Sequence, residues 1–152
     1  MKRFLLLCTV LLANINCILS QDIPANSVPT VVIKAFQHKY SNATNAKWEL
    51  KNQNYEVVFK LDLKKHTTEF NNTGIWLETR ITLKLTDVTT AIKNDVKRSF
   101  SKYKIMQITK VETKDKATFY EIIFNKDATD ITILFAPDGK ILDRKVELMN
   151  SF

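Results

Sequence analysis

The side chains best suited to metal binding or covalent chemistry are few and widely separated in this chain of 152 residues. Two histidines are present, His38 and His66, and both cysteines, Cys8 and Cys17, lie close to the amino terminus. A zinc site needs three or four ligands at workable spacing, which two isolated histidines do not provide. The sequence therefore predicts no metal site, no thiol nucleophile in the folded part of the chain and no cofactor.

Other residue patterns that support catalysis are also missing from the sequence. The Gly-x-Ser-x-Gly turn of serine hydrolases has no match, because the chain contains only two glycines, Gly74 and Gly139. The same scarcity excludes the usual glycine-rich phosphate loops. No two carboxylates share an apolar setting that would raise a pKa for acid–base work. We therefore expect a protein that is not an enzyme.

The amino terminus has the composition of a secretory signal peptide. Two basic residues precede an apolar run over residues 4–12, and polar residues follow up to Ser20. The run is much shorter than the roughly 20 apolar residues that span a membrane. We expect a signal peptide at 1–20, cleavage near Ser20, no transmembrane anchor, and a periplasmic or secreted product. A lipoprotein attached through Cys17 is the alternative, although Asn16 is a poor match to the small residue such a signal requires.

The mature chain carries a mild positive charge that is spread along the sequence. Without Lys2 and Arg3, 21 of the 23 basic residues remain against 16 acidic ones, which gives a net charge of +5. Basic residues occur at most two in a row among interspersed acidic ones, as on an ordinary solvated surface. We expect no nucleic acid partner, and a chain without cysteines must be held together by its core.

The chain repeats itself at an interval of 65 residues. Residues 55–83 align without a gap with residues 120–148, and nine of the 29 pairs are identical. The match is clearest where NYEVVFK in the first copy corresponds to FYEIIFN in the second, and the two glycines also coincide. An internal repeat of this kind indicates two equivalent structural units.

Each copy begins with a helical pattern and continues with strands. Apolar residues recur at steps of three and four over residues 28–40 and 88–103, which is typical of amphipathic helices. Alternating patterns follow, and each copy ends in a hairpin whose turn contains the glycine. We predict an α+β fold made of a tandem repeat of one helix and four antiparallel strands. The strands should form one continuous antiparallel sheet with both helices on one face.

One domain should contain both units. We place it at residues 21–149, with repeats at 28–84 and 85–149 and a tail at 150–152. A single unit of about 60 residues would be only marginally stable, whereas about 130 residues bury roughly two-thirds of their unfolded surface.

Both repeats resemble the PepSY-like, beta-lactamase-inhibitor-like domains that Gram-negative bacteria export. The similar segments are VIKAFQHKYSNATNAKWELKNQNYEVVFK and EFNNTGIWLET in the first repeat, and VTTAIKNDVKRSFSKYKI, FYEIIF and LFAPDGKIL in the second. The chain departs from the family pattern at Ser41 and Thr86, where proline is common. The resemblance implies the fold of a secreted beta-lactamase inhibitor protein, whose concave sheet offers a binding surface, but fold alone does not carry function.

Strand alternation predicts which side chains face away from the helices. After the first glycine turn, Trp76 and Arg80 should share that open face, and such a pair has the composition of a binding hot spot. The candidate protein-binding surface comprises Trp76, Glu78, Arg80, Val58, Lys60, Ile123 and Ile141. The alternative for Trp76 is packing over the sheet edge beside the turn.

Three functions are compatible with these patterns. The leading one is a non-enzymatic exported module that engages a protein or an envelope component through the open sheet face. A carrier of a small apolar ligand, held between the helices and the sheet, is the second. The third, an inhibitor of a secreted or periplasmic hydrolase, is implied by the family resemblance alone.

Overall fold

The structure of the protein is a computed structural model that describes residues 21–127 and 129–148. The expected signal peptide, its cleavage site, Cys17 and the tail at 150–152 lie outside the described residues. In this part of the chain, the helices are α1 (Thr30–Lys39) and α2 (Thr90–Ser99). The strands are β1 (Gln21–Ile23), β2 (Thr44–Lys51), β3 (Asn54–Leu61), β4 (Lys64–Phe70), β5 (Trp76–Thr82), β6 (Lys104–Thr113), β7 (Thr118–Lys126), β8 (Thr129–Phe135) and β9 (Ile141–Leu148).

All of these strands form a single antiparallel sheet in which spatial order follows chain order from β1 to β9. The prediction of an α+β fold with one continuous antiparallel sheet is confirmed. The sheet has one strand more than predicted, because Gln21–Ile23 pairs with Trp48–Leu50 of β2. A strand of three residues is too short to produce a periodic signal in the sequence.

Each helix covers one half of the sheet with a separate core. In the first repeat, the ring of Phe36 lies 5.3 Å from that of Trp48 and 5.1 Å from that of Phe59. In the second, Phe100 stacks on Phe124 at 4.4 Å. The two clusters centre on equivalent fully buried side chains, which are Val32, Val57, Phe59 and Phe70 in one repeat and Ile92, Ile122, Phe124 and Phe135 in the other.

The two glycines join each terminal hairpin to the helix of its own repeat. Gly74 and Gly139 have φ values of +82° and +89°, which residues with a Cβ rarely adopt. A Cβ on Gly74 would lie 3.0 Å from the carbonyl oxygen of Val31, and one on Gly139 would lie 3.1 Å from the Cβ of Ala91. The turns therefore need glycine both for their conformation and for their contact with the first helical turn.

A β-bulge follows each glycine turn and changes the face on which the next side chain lies. Glu69 pairs with Glu78 but Phe70 pairs with Trp76, so one extra residue, Leu77, interrupts the alternation in β5. Leu142 is the equivalent extra residue in β9. The bulge explains why these two leucines coincide in the repeat alignment.

The expected placement of Trp76 and Ile141 on the open face is therefore wrong. Both residues precede their bulge, and their partners, Phe70 and Phe135, belong to the buried clusters beneath the helices. Each side chain consequently lies on the helix side of the sheet.

Candidate protein-binding surface

Five of the seven predicted surface residues lie on the open face, the side of the sheet opposite the helices. They are Val58, Lys60, Glu78, Arg80 and Ile123. The centre of this face is a row of directly paired side chains that crosses five adjacent strands. The row contains Val58, Thr67, Arg80, Val111 and Phe119.

Two residues near the centre of the open face are buried. Val111 has 0% of its surface exposed and Thr109 has 3%, although both helices lie on the other side of the sheet. Side chains of the neighbouring strands must therefore enclose these two residues.

A pocket of about 520 Å³ lies on the open face of the first repeat. Its apolar part includes Ala46 and Val58, and its other lining residues include Lys47, Lys60 and Lys65. Within the described residues, no hydrogen bond or ion pair engages the amine of any of these three lysines. The pocket therefore presents three positive charges to solvent around an apolar floor.

Two of these lysines face each other directly across neighbouring strands. Lys60 of β3 pairs with Lys65 of β4, and like charges in that position destabilise a sheet. The equivalent pair in the second repeat is Asn125 and Asp130, where the Asn125 amide donates a hydrogen bond to the Asp130 carboxylate at 2.6 Å. The positive pair is thus specific to the first repeat.

Four glutamates form a second row across the same repeat. Successive strands pair Glu49 with Glu56, Glu56 with Glu69 and Glu69 with Glu78. Glu56 and Glu78 pair with basic side chains, Glu69 accepts a hydrogen bond from an amide, and Glu49 also has an interaction within the fold. The distances are 3.7 Å for Lys51–Glu56, 2.6 Å for Asn54–Glu69 and 3.7 Å for Arg80–Glu78.

Arg80 connects the two repeats on the open face. Its Nη2 donates to the Glu121 carboxylate at 2.7 Å, across the intervening strand β6, and its Nη1 lies 3.7 Å from Glu78. The guanidinium is therefore already engaged by two carboxylates of the protein. Lys47 and Lys65, which were not predicted from the sequence, carry the unpaired positive charge on this face, and Arg80 does not.

Trp76 belongs to a polar cluster on the helix side. Its indole N–H lies within hydrogen-bond distance of the Thr79 hydroxyl at 2.8 Å and the Thr68 hydroxyl at 3.1 Å. The Lys39 amine lies 3.9 Å from the centre of its ring, and the Tyr40 hydroxyl is hydrogen-bonded to Thr79. Burial of the hydroxyl raises the pKa of Tyr40 above its usual value. These contacts support the packing alternative for Trp76.

Neither histidine belongs to the open face. His66 is buried on the helix side, with its ring stacked on Phe59 at a centroid distance of 5.2 Å. His38 is exposed near the end of α1. Among the described residues, no group of three or more His, Cys, Asp or Glu side chains is arranged to hold a metal ion. Neither helix in this part of the chain is long and apolar enough to cross a membrane.

Comparison with solved structures finds the same fold in proteins of Bacteroides. A protein from Bacteroides eggerthii, described as one of the "putative periplasmic proteins", superposes with a TM-score of 0.74 at 21% identity. The match covers 80% of this chain and 90% of that one. A "BLIP-like protein" from Bacteroides fragilis also gives a TM-score of 0.74, at 19% identity over 83% of this chain and 89% of that one.

Comparison with curated proteins gives no significant match. The family model described as "Putative beta-lactamase-inhibitor-like, PepSY-like" matches two overlapping segments, residues 16–67 and 53–143. The resemblance seen in the sequence is thereby confirmed. The chain belongs to the PepSY-like, beta-lactamase-inhibitor-like family.

Proposed function

We propose that this protein is a non-enzymatic exported binding module that engages another protein through the open face of its sheet. The observation that carries the proposal is the pocket formed by Lys47, Lys60 and Lys65 around Val58. A directly opposed lysine pair destabilises the free protein, and a carboxylate of a partner would relieve that repulsion. The apolar floor adds surface whose burial favours association.

The partner that fits this pocket carries an acidic group beside an apolar one. A protein surface or an acidic component of the cell envelope would supply both. The signal peptide pattern at residues 1–20 supports export to the periplasm or beyond. The Bacteroides eggerthii protein with the same fold is itself described as periplasmic.

Affinity purification from the envelope of the native host tests the proposal. The mature protein is compared with Lys60→Asn/Lys65→Asp, which carries the pair found at the equivalent positions of the second repeat. We expect this variant to lose the specific partners, because the positive pair becomes a neutral and an acidic residue. Lys114→Asn/Lys116→Asp, in the exposed turn between β6 and β7, makes the same charge change elsewhere and should retain them. Equal recovery of every partner by all three proteins would remove the pocket from the binding surface.

A hydrolase inhibitor is the more specific form of the same proposal, and it rests on the family description. Its test is a panel of secreted and periplasmic hydrolases assayed with micromolar protein. Inhibition that the Lys60→Asn/Lys65→Asp variant loses would identify the pocket as the contact. Full activity of every enzyme in the panel would leave the general binding role without an inhibitory one.

The carrier alternative depends on a different part of the molecule. Its supporting observation is an apolar groove beside α2, on the helix side of the sheet. A bound small molecule there would leave the open face available to a partner.

A further inference from the structure

The groove beside α2 has a volume of about 580 Å³, within the range of roughly 300–1,000 Å³ that is common for small-molecule sites. Its accessible apolar surface comes from Leu85, Tyr103 and Ile105, above the buried Val96 and Phe100. Lys93 and Lys97 are also among its lining residues. The groove lies on the helix side of the sheet. Its occupation and the open-face proposal can therefore hold or fail separately.

The second repeat forms this groove with smaller and more basic residues than the first. Since α1 and α2 align with an offset of 60, Ile33, Phe36 and Gln37 occupy the positions of Lys93, Val96 and Lys97. Compared with α1, α2 has an amine at two of these three positions and lacks an aromatic ring at the third.

The sheet beneath the helix shows a parallel difference. Trp48 pairs with Val57 in the first repeat, and Ile108 pairs with the equivalent Ile122 in the second. Trp48 and Phe36 pack against each other at 5.3 Å, so this space is filled by two aromatic rings. The second repeat has the aliphatic residues Val96 and Ile108 at these two positions.

The charge around the groove is entirely positive. No carboxylate is among its lining residues. The Lys93 amine donates a hydrogen bond to the Thr86 carbonyl at 2.7 Å, whereas no described residue pairs with the Lys97 amine. The Lys126 amine lies 5.5 Å from the ring centre of Tyr103, which also lines the groove. An apolar surface whose only charged lining residues are lysines is complementary to an amphipathic anion.

We infer that the groove binds a long-chain carboxylate. The hydrocarbon chain would lie along Leu85, Tyr103 and Ile105, and the carboxylate would be held by Lys97 with Lys93 beside it. Because burial of apolar surface drives the association, affinity should rise by about fourfold for each added methylene until the groove is filled. Removal of the negative charge of the ligand should lower the affinity by about tenfold, since a charged hydrogen bond is lost.

The test is a fluorescence titration of the mature protein with cis-parinaric acid, a fluorescent long-chain carboxylate, and with its methyl ester. We expect saturable binding of one molecule of acid per chain and about tenfold weaker binding of the ester. Saturated fatty acids of increasing length, used as competitors, measure the dependence on methylene number. The absence of saturable binding would overturn the inference, and equal affinity for acid and ester would overturn the anionic assignment.

Two variants that introduce into α2 the residues found at the equivalent positions of α1 test which residues form the site. Val96→Phe fills the groove and should abolish binding of acid and ester, while Lys97→Gln should weaken only the acid. Circular dichroism confirms the fold of Val96→Phe, and the exposed Lys97→Gln gives a result that does not depend on core packing. Lys60→Asn/Lys65→Asp on the open face is the control and should bind the acid normally.

A second arm separates a free carboxylate from a membrane surface. Sedimentation with phosphatidylglycerol vesicles, at equal protein concentration, should leave the protein in solution. Binding to the vesicles without binding to monomeric acid would show that the lysines and apolar residues meet an anionic bilayer, and would overturn the small-ligand site.

Discussion

Gly74 and Gly139 combine a positive φ with close contact to the first turn of a helix. Their φ values of +82° and +89° are unfavourable for any residue with a Cβ, and the Cβ of an alanine would meet Val31 or Ala91. We expect Gly139→Ala to lower the free energy of unfolding by about 1–3 kcal/mol. Urea denaturation measures the change, with the exposed Lys140→Ala as the control. Equal midpoints for the Gly139 variant and the parent would show that the turn adjusts without cost.

Tyr40 gives the protein a stability that depends on pH. Burial raises the pKa of its hydroxyl, and the nearby Glu112 carboxylate contributes in the same direction, while hydrogen bonds to Thr79, Thr68 and Trp76 oppose them. The unfolded chain loses this proton near pH 10, and the folded chain loses it at a higher pH. The stabilisation is therefore complete below about pH 10 and is lost as the pH rises through the folded pKa.

Between about pH 9 and 11, the free energy of unfolding should fall less steeply in Tyr40→Phe than in the parent, because the variant has no hydroxyl to ionise. Chemical denaturation at a series of pH values measures both slopes, and comparing them removes the contribution of the other titrating groups. Parallel curves for the two proteins would contradict the role assigned to Tyr40.

At the scale of single elements, the tip of the β3–β4 hairpin contains an unusual residue. Asp62 and Leu63 both have positive φ, +49° and +62°, and the Leu63 side chain is 100% exposed. Two-residue turns of this kind favour glycine at the second position. We expect Leu63→Gly to raise the free energy of unfolding by about 0.5–1 kcal/mol, since the relief of backbone strain exceeds the entropy lost by glycine.

Asp62→Gly is the matched control for this hairpin. Aspartate tolerates a positive φ better than leucine does, so its replacement should stabilise the protein less. Denaturant midpoints of the two variants and the parent measure the difference. A larger gain from Asp62→Gly than from Leu63→Gly would indicate that the strain in the turn lies at its first position.

The elements themselves were predictable from periodicity, whereas the faces of two residues were not. Helices and long strands leave a repeating apolar pattern in the sequence, and glycine marks the turns. A bulge adds one residue to a strand without changing the composition of the strand. The sequence pattern therefore did not show that the extra Leu77 and Leu142 place Trp76 and Ile141 on the helix side. Alternation predicts a face only where strand pairing is uninterrupted.

Lys47 and Lys65 were not predicted at the open face for a related reason. The β3–β4 register is needed to see that Lys65 faces Lys60. A bulge in β2 between Thr44 and Lys47 brings Lys47 opposite Val58. A signal did exist in the sequence, because the repeat alignment replaces Lys60 and Lys65 by Asn125 and Asp130. Differences between the copies thus indicated the candidate site more directly than their shared residues.

At the scale of the whole molecule, the shared residues of the repeats build the fold and the unshared ones form the two proposed sites. The buried residues on β3 and β7 correspond almost one to one. The lysine pocket is specific to the first repeat and the groove beside α2 depends on residues specific to the second. The two repeats therefore carry different surfaces on equivalent cores.

The repeats should nevertheless unfold as one unit, because the sheet is continuous across their boundary. β5 pairs with β6 over five residue pairs, the Leu83 N–H donates to the Ile108 carbonyl at 2.9 Å, and Arg80 binds Glu121 across the same junction. Both tryptophans, Trp48 and Trp76, belong to the first repeat. Their fluorescence therefore reports unfolding of the half that does not contain Phe124.

This arrangement makes Phe124→Ala a test of a single domain over residues 21–149. Loss of the fully buried ring stacked on Phe100 should cost about 3–5 kcal/mol, much of a domain's usual stability. If the halves are coupled, tryptophan fluorescence and far-UV circular dichroism should shift to the same lower urea midpoint, since two-state unfolding gives one transition by every probe. Met106→Ala, at an exposed side chain of β6, is the control and should change neither midpoint appreciably. An unchanged fluorescence midpoint beside a shifted dichroism midpoint would mean that each repeat unfolds alone and that the chain contains two domains.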